Sequence, residues 1–199
     1  MDLTYDIVAN MYAEKGYKFY DTGKFNVNIF GIRRDLTVNL FNDTIGVAFR
    51  DAQNNPQLKT YPATTDPGYY WLKNKIGNIR GTFILAPGYY PKCWKTGQHK
   101  GQYYALVQAQ DGLFKGWRDK DSDGVLDMSG PIYTDVKGLN LHTTSHLRGH
   151  ADKVGAYSAA CQVIQKTIHH GEFMGIIDWA KKVYSDAFSY ALFDESALI

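Results

Sequence analysis

The residues best suited to covalent chemistry lie between Gly138 and Ile164, in the run GLNLHTTSHLRGHADKVGAYSAACQVI. Leu139, Leu141 and Thr143 alternate with Asn140 and His142, so His142 is predicted on a strand, facing away from Leu141. After a polar loop, Tyr157-Ser158-Ala159-Ala160 places small side chains beside Cys161, leaving room for a carbonyl to approach the sulfur. A thiol is mostly protonated near neutrality, and a cysteine nucleophile therefore needs a neighbouring base, usually histidine. With His142 as base and Cys161 as nucleophile, attack on an amide gives an oxyanion held by the backbone N–H of Cys161 and one adjacent donor. A thioester follows, resolved by water or an amine. Cys93, beside Trp94, has no such surroundings and reads as a buried structural thiol.

Two further groupings invite metals. His142, His146 and His150 have the i, i+4 spacing of a helical zinc pair, but the strand pattern up to Thr143, Gly149 and the lack of an HExxH glutamate argue against it. His169-His170 read as polar residues ahead of a last helix. Asp119-Lys120-Asp121-Ser122-Asp123-Gly124-Val125-Leu126-Asp127 matches the first nine positions of an EF-hand-like loop, with oxygens at alternate positions and glycine at the turn. Gly130 stands where the closing acid belongs, so a structural Ca²⁺ held by Asp119, Asp121, Asp123 and Asp127 would bind weakly. No cofactor is required by the thiol chemistry.

These groups need a scaffold, and 199 residues supply one core. With 44% hydrophobic and 21% charged residues, the composition is that of a folding chain. A net charge of +2, with lysines scattered along the sequence, argues against a nucleic-acid partner. The only glutamates are Glu14, Glu172 and Glu195, each in or beside a helical pattern, which leaves a lysozyme-type carboxyl pair without support. Met1 to Ala13 lacks a basic start and an apolar run, so no signal peptide is expected, and no stretch approaches the roughly 20 apolar residues of a membrane span.

Ile7, Val8, Met11 and Tyr12, closed by Gly16, predict a helix over about residues 3–15. Short alternating runs at Phe25 to Ile29, Ile45 to Arg50, Thr82 to Leu85 and Tyr103 to Gln108 predict strands. Pro67-Gly68-Tyr69-Tyr70 and Pro87-Gly88-Tyr89-Tyr90 read as two Tyr-rich turns, and the many tyrosines as a sheet core with hydroxyls at its edge. Phe173, Ile176, Ile177, Ala180, Val183, Tyr184, Ala187, Phe188 and Ala191 share one helical face. The expected fold is therefore mainly β with N-terminal and long C-terminal α-helices: a helical segment over 1–20, a β-rich domain over 25–168 and a packed helix over 172–194.

His142, a gap of 15 residues and Ser158-Ala159-Ala160-Cys161 together resemble the L,D-transpeptidase catalytic domain, whose motif is a histidine, a similar gap and Ser/Thr-His-Gly-Cys. Thr65-Asp66-Pro67-Gly68-Tyr69-Tyr70 is similar to that family's upstream Thr-Pro-x-Gly-x-Phe/Tyr segment, with one residue inserted. The stretch from Trp117 to Asp127, with Gly138–His142 and Ser158–Ile164, looks like a divergent, phage-type branch. The likeness spans about residues 25–168. It implies a β-sandwich or barrel acting on peptidoglycan stem peptides, with Cys161 as nucleophile, His142 as base and Ser158 shaping the site. It also implies substrate contacts from His99, Thr143, Tyr157, Gly68 and Tyr70. Ala159-Ala160 replaces the family's His-Gly, and Gln162-Val163 its Ile-Arg. Two readings follow from the likeness: a phage-encoded cell-wall hydrolase, present in the virion or in the host cytoplasm before release, or an inactive structural or adhesive virion protein that touches other virion components.

Overall fold

The computed structural model describes residues 3–74, 80–145 and 149–195. The first helix, α1 (Tyr5–Glu14), starts where the Thr4 hydroxyl accepts the Ile7 N–H at 3.3 Å. It ends where Gly16, at φ +66°, lets the N–H groups of Gly16 and Tyr17 reach the carbonyls of Ala13 and Tyr12. Its buried face is Tyr5, Val8, Met11 and Tyr12, the spacing of one helical stripe.

Strand β1 (Asn28–Arg33) begins later than the Phe25 pattern predicts. Phe25 sits at φ +56°, and its ring stacks between Phe49 and Trp179 instead of entering the sheet. Strand β2 (Asp43–Arg50) pairs antiparallel with β1 and along its whole length with β3 (Pro56–Thr64). Pro56 and Pro62 hide β3 from sequence reading. They are tolerated because the next strand covers only Ala63 and Thr64, leaving the rest of β3 as an edge.

The two Tyr-rich segments are not both turns: the first opens α2 (Tyr69–Lys73) and the second, after β4 (Thr82–Leu85), opens the 12-residue strand β5 (Gly88–His99). Then come β6 (Tyr103–Gln108), β7 (Gly116–Asp119), β8 (Leu141–Thr143) and β9 (Gln162–Ile164). Helix α3 (Thr167–Val183) and strand β10 (Phe188–Asp194) come last among the described elements.

The expected helix over 172–194 is thus two elements. The chain turns at Asp186, whose carboxylate accepts the N–H and hydroxyl of Thr96 and pairs with Lys181 at 2.9 Å. Beyond it the period changes to two: Phe188, Tyr190 and Leu192 enter the main core, while Ala191 and Phe193 face α1. Strand pairing on both sides overrides the helical spacing of Ala187, Phe188 and Ala191.

Eight strands close a barrel in the order β1-β10-β5-β6-β8-β9-β3-β2, and β4 and β7 form a separate two-stranded sheet. Among the described residues the architecture is mainly β with three helices, and β10 is barrel wall rather than an appended segment. Ile29, Val47, Trp94, Leu106, Leu141 and Tyr190 fill the interior, which α3 caps with Phe173 and Ile177. On the outside α1 covers Phe30 and Ile32, which is why every residue of β1 is buried. Among the described residues no helix is long and apolar enough to cross a membrane.

Candidate active site

Strands β8 and β9 run parallel, with His142 opposite Val163. Just upstream, Asn140 and Cys161 lie side by side: the Gln162 N–H donates to Asn140 O at 2.9 Å, and the Asn140 N–H points at Cys161 Sγ from 3.5 Å. Cys161 immediately precedes β9 and His142 lies two residues beyond Asn140 on β8, so the two are diagonal neighbours on adjoining segments, on the order of 8 Å apart between backbone positions.

His142 is buried, and its Nδ1 lies 2.6 Å from the carbonyl oxygen of Thr143, which can only accept. Nδ1 therefore carries the proton, leaving a lone pair on Nε2, which is buried and meets no hydrogen-bond partner. Tyr103 supports this arrangement, its hydroxyl donating to Thr143 O at 2.9 Å and lying 3.0 Å from Nδ1. Burial, with His99 alongside, holds His142 well below the usual histidine range, so it is a neutral imidazole.

Cys161 is half-buried and borders an open cleft with Trp71, Phe83, Arg118, Leu139 and Ala160. Its thiol points to Gly138 O at 3.6 Å, and no hydrogen bond joins it to His142. Burial pushes the thiol above its ordinary value, against the smaller pull of the Asn140 N–H and the Lys100 charge. The resting pair is therefore a thiol beside a neutral imidazole, not an ion pair. Both cysteines are free; Cys93 is fully buried, its sulfur 3.7 Å from Phe188 O, and burial holds its thiol far above the usual range.

Ser158 is buried and its hydroxyl donates to Cys161 O at 2.7 Å, so it shapes the turn before the thiol rather than facing a substrate. The segment around Gly68 docks on that turn. The Gly68 N–H donates to Ser158 O at 2.8 Å, and the Trp71 indole N–H donates to Ala156 O at 3.0 Å. Tyr70 is exposed and packs edge-on against Trp71. Of these residues Cys161 lines the cleft, Ser158 and Gly68 hold the turn behind it, and Tyr70 packs on the lining residue Trp71, a grouping that their sequence positions alone could not show.

His99, His142, Thr143 and Tyr157 are not among the residues lining the cleft, His142 lying buried behind it. His99 stacks on His142, and its Nδ1 is 3.0 Å from the Asn140 amide nitrogen, the Asn140 oxygen being taken by the Gln108 N–H. The Thr143 hydroxyl donates to Ile164 O, and Tyr157 is half-buried in the 154–158 turn. Gln162, where the resembled motif has another residue, is pinned inside the barrel, its amide donating to Thr65 O and accepting from Tyr190 OH.

Sequence reading missed Tyr103, Asn140, Trp71, Arg118 and His170. The last lies inside the first turn of α3, not ahead of it, and is buried against Tyr103. Only the polar character of Asn140 beside His142 hinted at a partner. Arg118 crosses Phe83 and is tied to Asp135 at 2.8 Å and to Gly81 O. Of the suggested zinc histidines, His146 lies outside the described residues and His150 is exposed, bridging Lys166. The group of metal-capable side chains found among the described residues is Asp119, Asp121 and Asp123. No family model matches the chain, and neither a curated protein nor a solved structure matches it.

Proposed function

We propose that this chain is a thiol enzyme acting on peptide amide bonds of bacterial peptidoglycan, as a phage-encoded cell-wall hydrolase. One observation carries the reading. Cys161 opens on a cleft, and His142, its diagonal neighbour on the adjoining strand, keeps a proton on Nδ1 and an unused lone pair on Nε2. A stem peptide seated in the cleft is attacked by Cys161 Sγ as the thiol proton passes to His142 Nε2. The backbone N–H of Cys161 holds the oxyanion, and His142 returns the proton to the departing amine. Water, deprotonated by the same Nε2, then cleaves the thioester and restores the thiol. Because resting Cys161 is protonated, the proton transfer accompanies attack rather than preceding it. The peptidoglycan substrate rests on the resemblance of the His142-to-Cys161 spacing.

A second reading is favoured by the missing Cys161–His142 hydrogen bond and the raised thiol: a structural or adhesive virion protein that keeps the fold without turnover. Wild type and Cys161→Ala incubated with several peptidoglycan chemotypes, with muropeptides read by mass spectrometry, separate the two. New products that vanish in the variant support the enzyme. An inert wild type supports the structural protein.

A further inference from the structure

The end of β7 carries a buried carboxylate that no cationic side chain neutralises among the described residues. Asp119 is 3% exposed, and it faces Asp121 and Asp123 so closely that one carboxylate oxygen from each lies within 4.8 Å of the others. Backbone N–H groups of Asp127 and Ser122 serve Asp119, yet its Oδ2 is buried and meets no donor. Among the described residues no salt bridge reaches Asp119, Asp121, Asp123 or Asp127. Among the described residues, Lys120 is engaged with the Tyr133 hydroxyl at 2.8 Å and Lys73 lies over the Tyr69 ring. A buried anion facing two further anions is costly unless a cation sits among them.

We propose that Asp119, Asp121 and Asp123, with the Val125 carbonyl and Asp127 completing the loop, bind a calcium ion. The donors are all oxygen, and they recur at alternate positions around Gly124, which adopts φ +88° at the turn. An irregular cage of this kind suits Ca²⁺, whereas Mg²⁺ demands a tight octahedron and keeps most of its waters. With Gly130 in place of a bidentate acid, the dissociation constant should fall at about 10⁻⁴ to 10⁻³ M. The loop bears directly on α2: a side chain at Gly124 would meet Tyr69 and Lys73 at 2.8 Å, and Leu126 packs with Leu72 and Ile84. Calcium would therefore hold α2, and with it Trp71 at the cleft, against the small sheet. This inference does not depend on the thiol chemistry.

The test uses the full chain freed of metal with a chelator, unfolded thermally at fixed ionic strength in calcium, magnesium or sodium chloride. Terbium luminescence excited through the adjacent Trp117 reports occupancy directly. Calcium at about 10 mM should raise the melting temperature by several degrees, and terbium emission should fall as calcium displaces it. Both effects should disappear in Asp121→Asn/Asp123→Asn, whose replaced side chains are exposed and whose fold should persist. A wild type indifferent to calcium, an equal response in the variant, or an equal shift with magnesium or sodium would each overturn the assignment.

Discussion

The imidazoles of His99 and His142 lie stacked, ring centroids 3.8 Å apart and planes 22° from parallel. Such a stack tolerates two neutral rings and not two cations. The hydrogen bonds agree, since His142 gives its Nδ1 proton to Thr143 O while His99 Nδ1 receives the Asn140 amide. The site is built around uncharged imidazole, the form a general base requires.

Acid should therefore loosen the protein before its surface carboxylates titrate. Burial depresses His99 and His170 to about 4 and His142 well below its usual range, whereas all three return to about 6.5 on unfolding. The unfolded chain then binds more protons, so stability is complete above pH 6.5 and is lost as pH falls towards 4, by up to about 1.4 kcal/mol per pH unit for each ring. Asp66, raised to about 6 by burial against the pull of Arg33, acts oppositely, as do Asp43 and Asp119, also raised by burial, and they make the loss shallower towards the acid end of this window. Urea unfolding at pH 7, 6 and 5 should show falling midpoints, with a shallower slope for His170→Asn. Equal slopes would refute this account.

Alkylation should tell the two cysteines apart. Cys161 borders the cleft and Cys93 is fully buried, so iodoacetamide should label the native protein once, at Cys161, and twice only after denaturation. Because burial raises the Cys161 thiol, the labelling rate should inflect above the free-thiol value of about 8.5. An inflection near pH 6 would instead reveal a preformed thiolate.

Gly68→Ala should disturb the cleft from outside it. A Cβ there would lie 2.1 Å from Gly155 O and 2.8 Å from a Val154 methyl, and the displaced turn carries Ser158. The expected cost is about 1–3 kcal/mol in urea, with altered Cys161 labelling and the Cys93 thiol still silent. Unchanged labelling would mean that the Gly68–Ser158 contact does not position the thiol.

Truncation after Val183 should abolish folding rather than trim it. Removing β10 strips Phe188, Tyr190 and Leu192 from the core and opens the barrel between β1 and β5. Circular dichroism should show no cooperative melt. A cooperative transition in the truncated chain would demote β10 to a peripheral element.

Local signals were legible where local physics decides. Thr4, the apolar stripe of α1 and Gly16 specify that helix by capping and spacing, and alternation alone placed His142 on a strand and β2, β4 and β6 where they lie. The sequence also marked Cys161, His142 and the aspartate loop, because small residues around a thiol and oxygens at alternate positions are chemical patterns in one dimension. Tertiary structure decided what depends on distant partners. The residues of β10 have an acceptable helical period and become strand because β1 and β5 supply hydrogen bonds on both sides, and β3 survives two prolines because most of one edge is unpaired. Ser158 donates to Cys161 O, a partner that only the folded turn brings within 2.7 Å. The state of the pair was likewise invisible. Protonation follows from burial, and the depth of His142, the stack with His99 and the shelter of Cys161 arise only when strands 20 to 60 residues apart close the barrel.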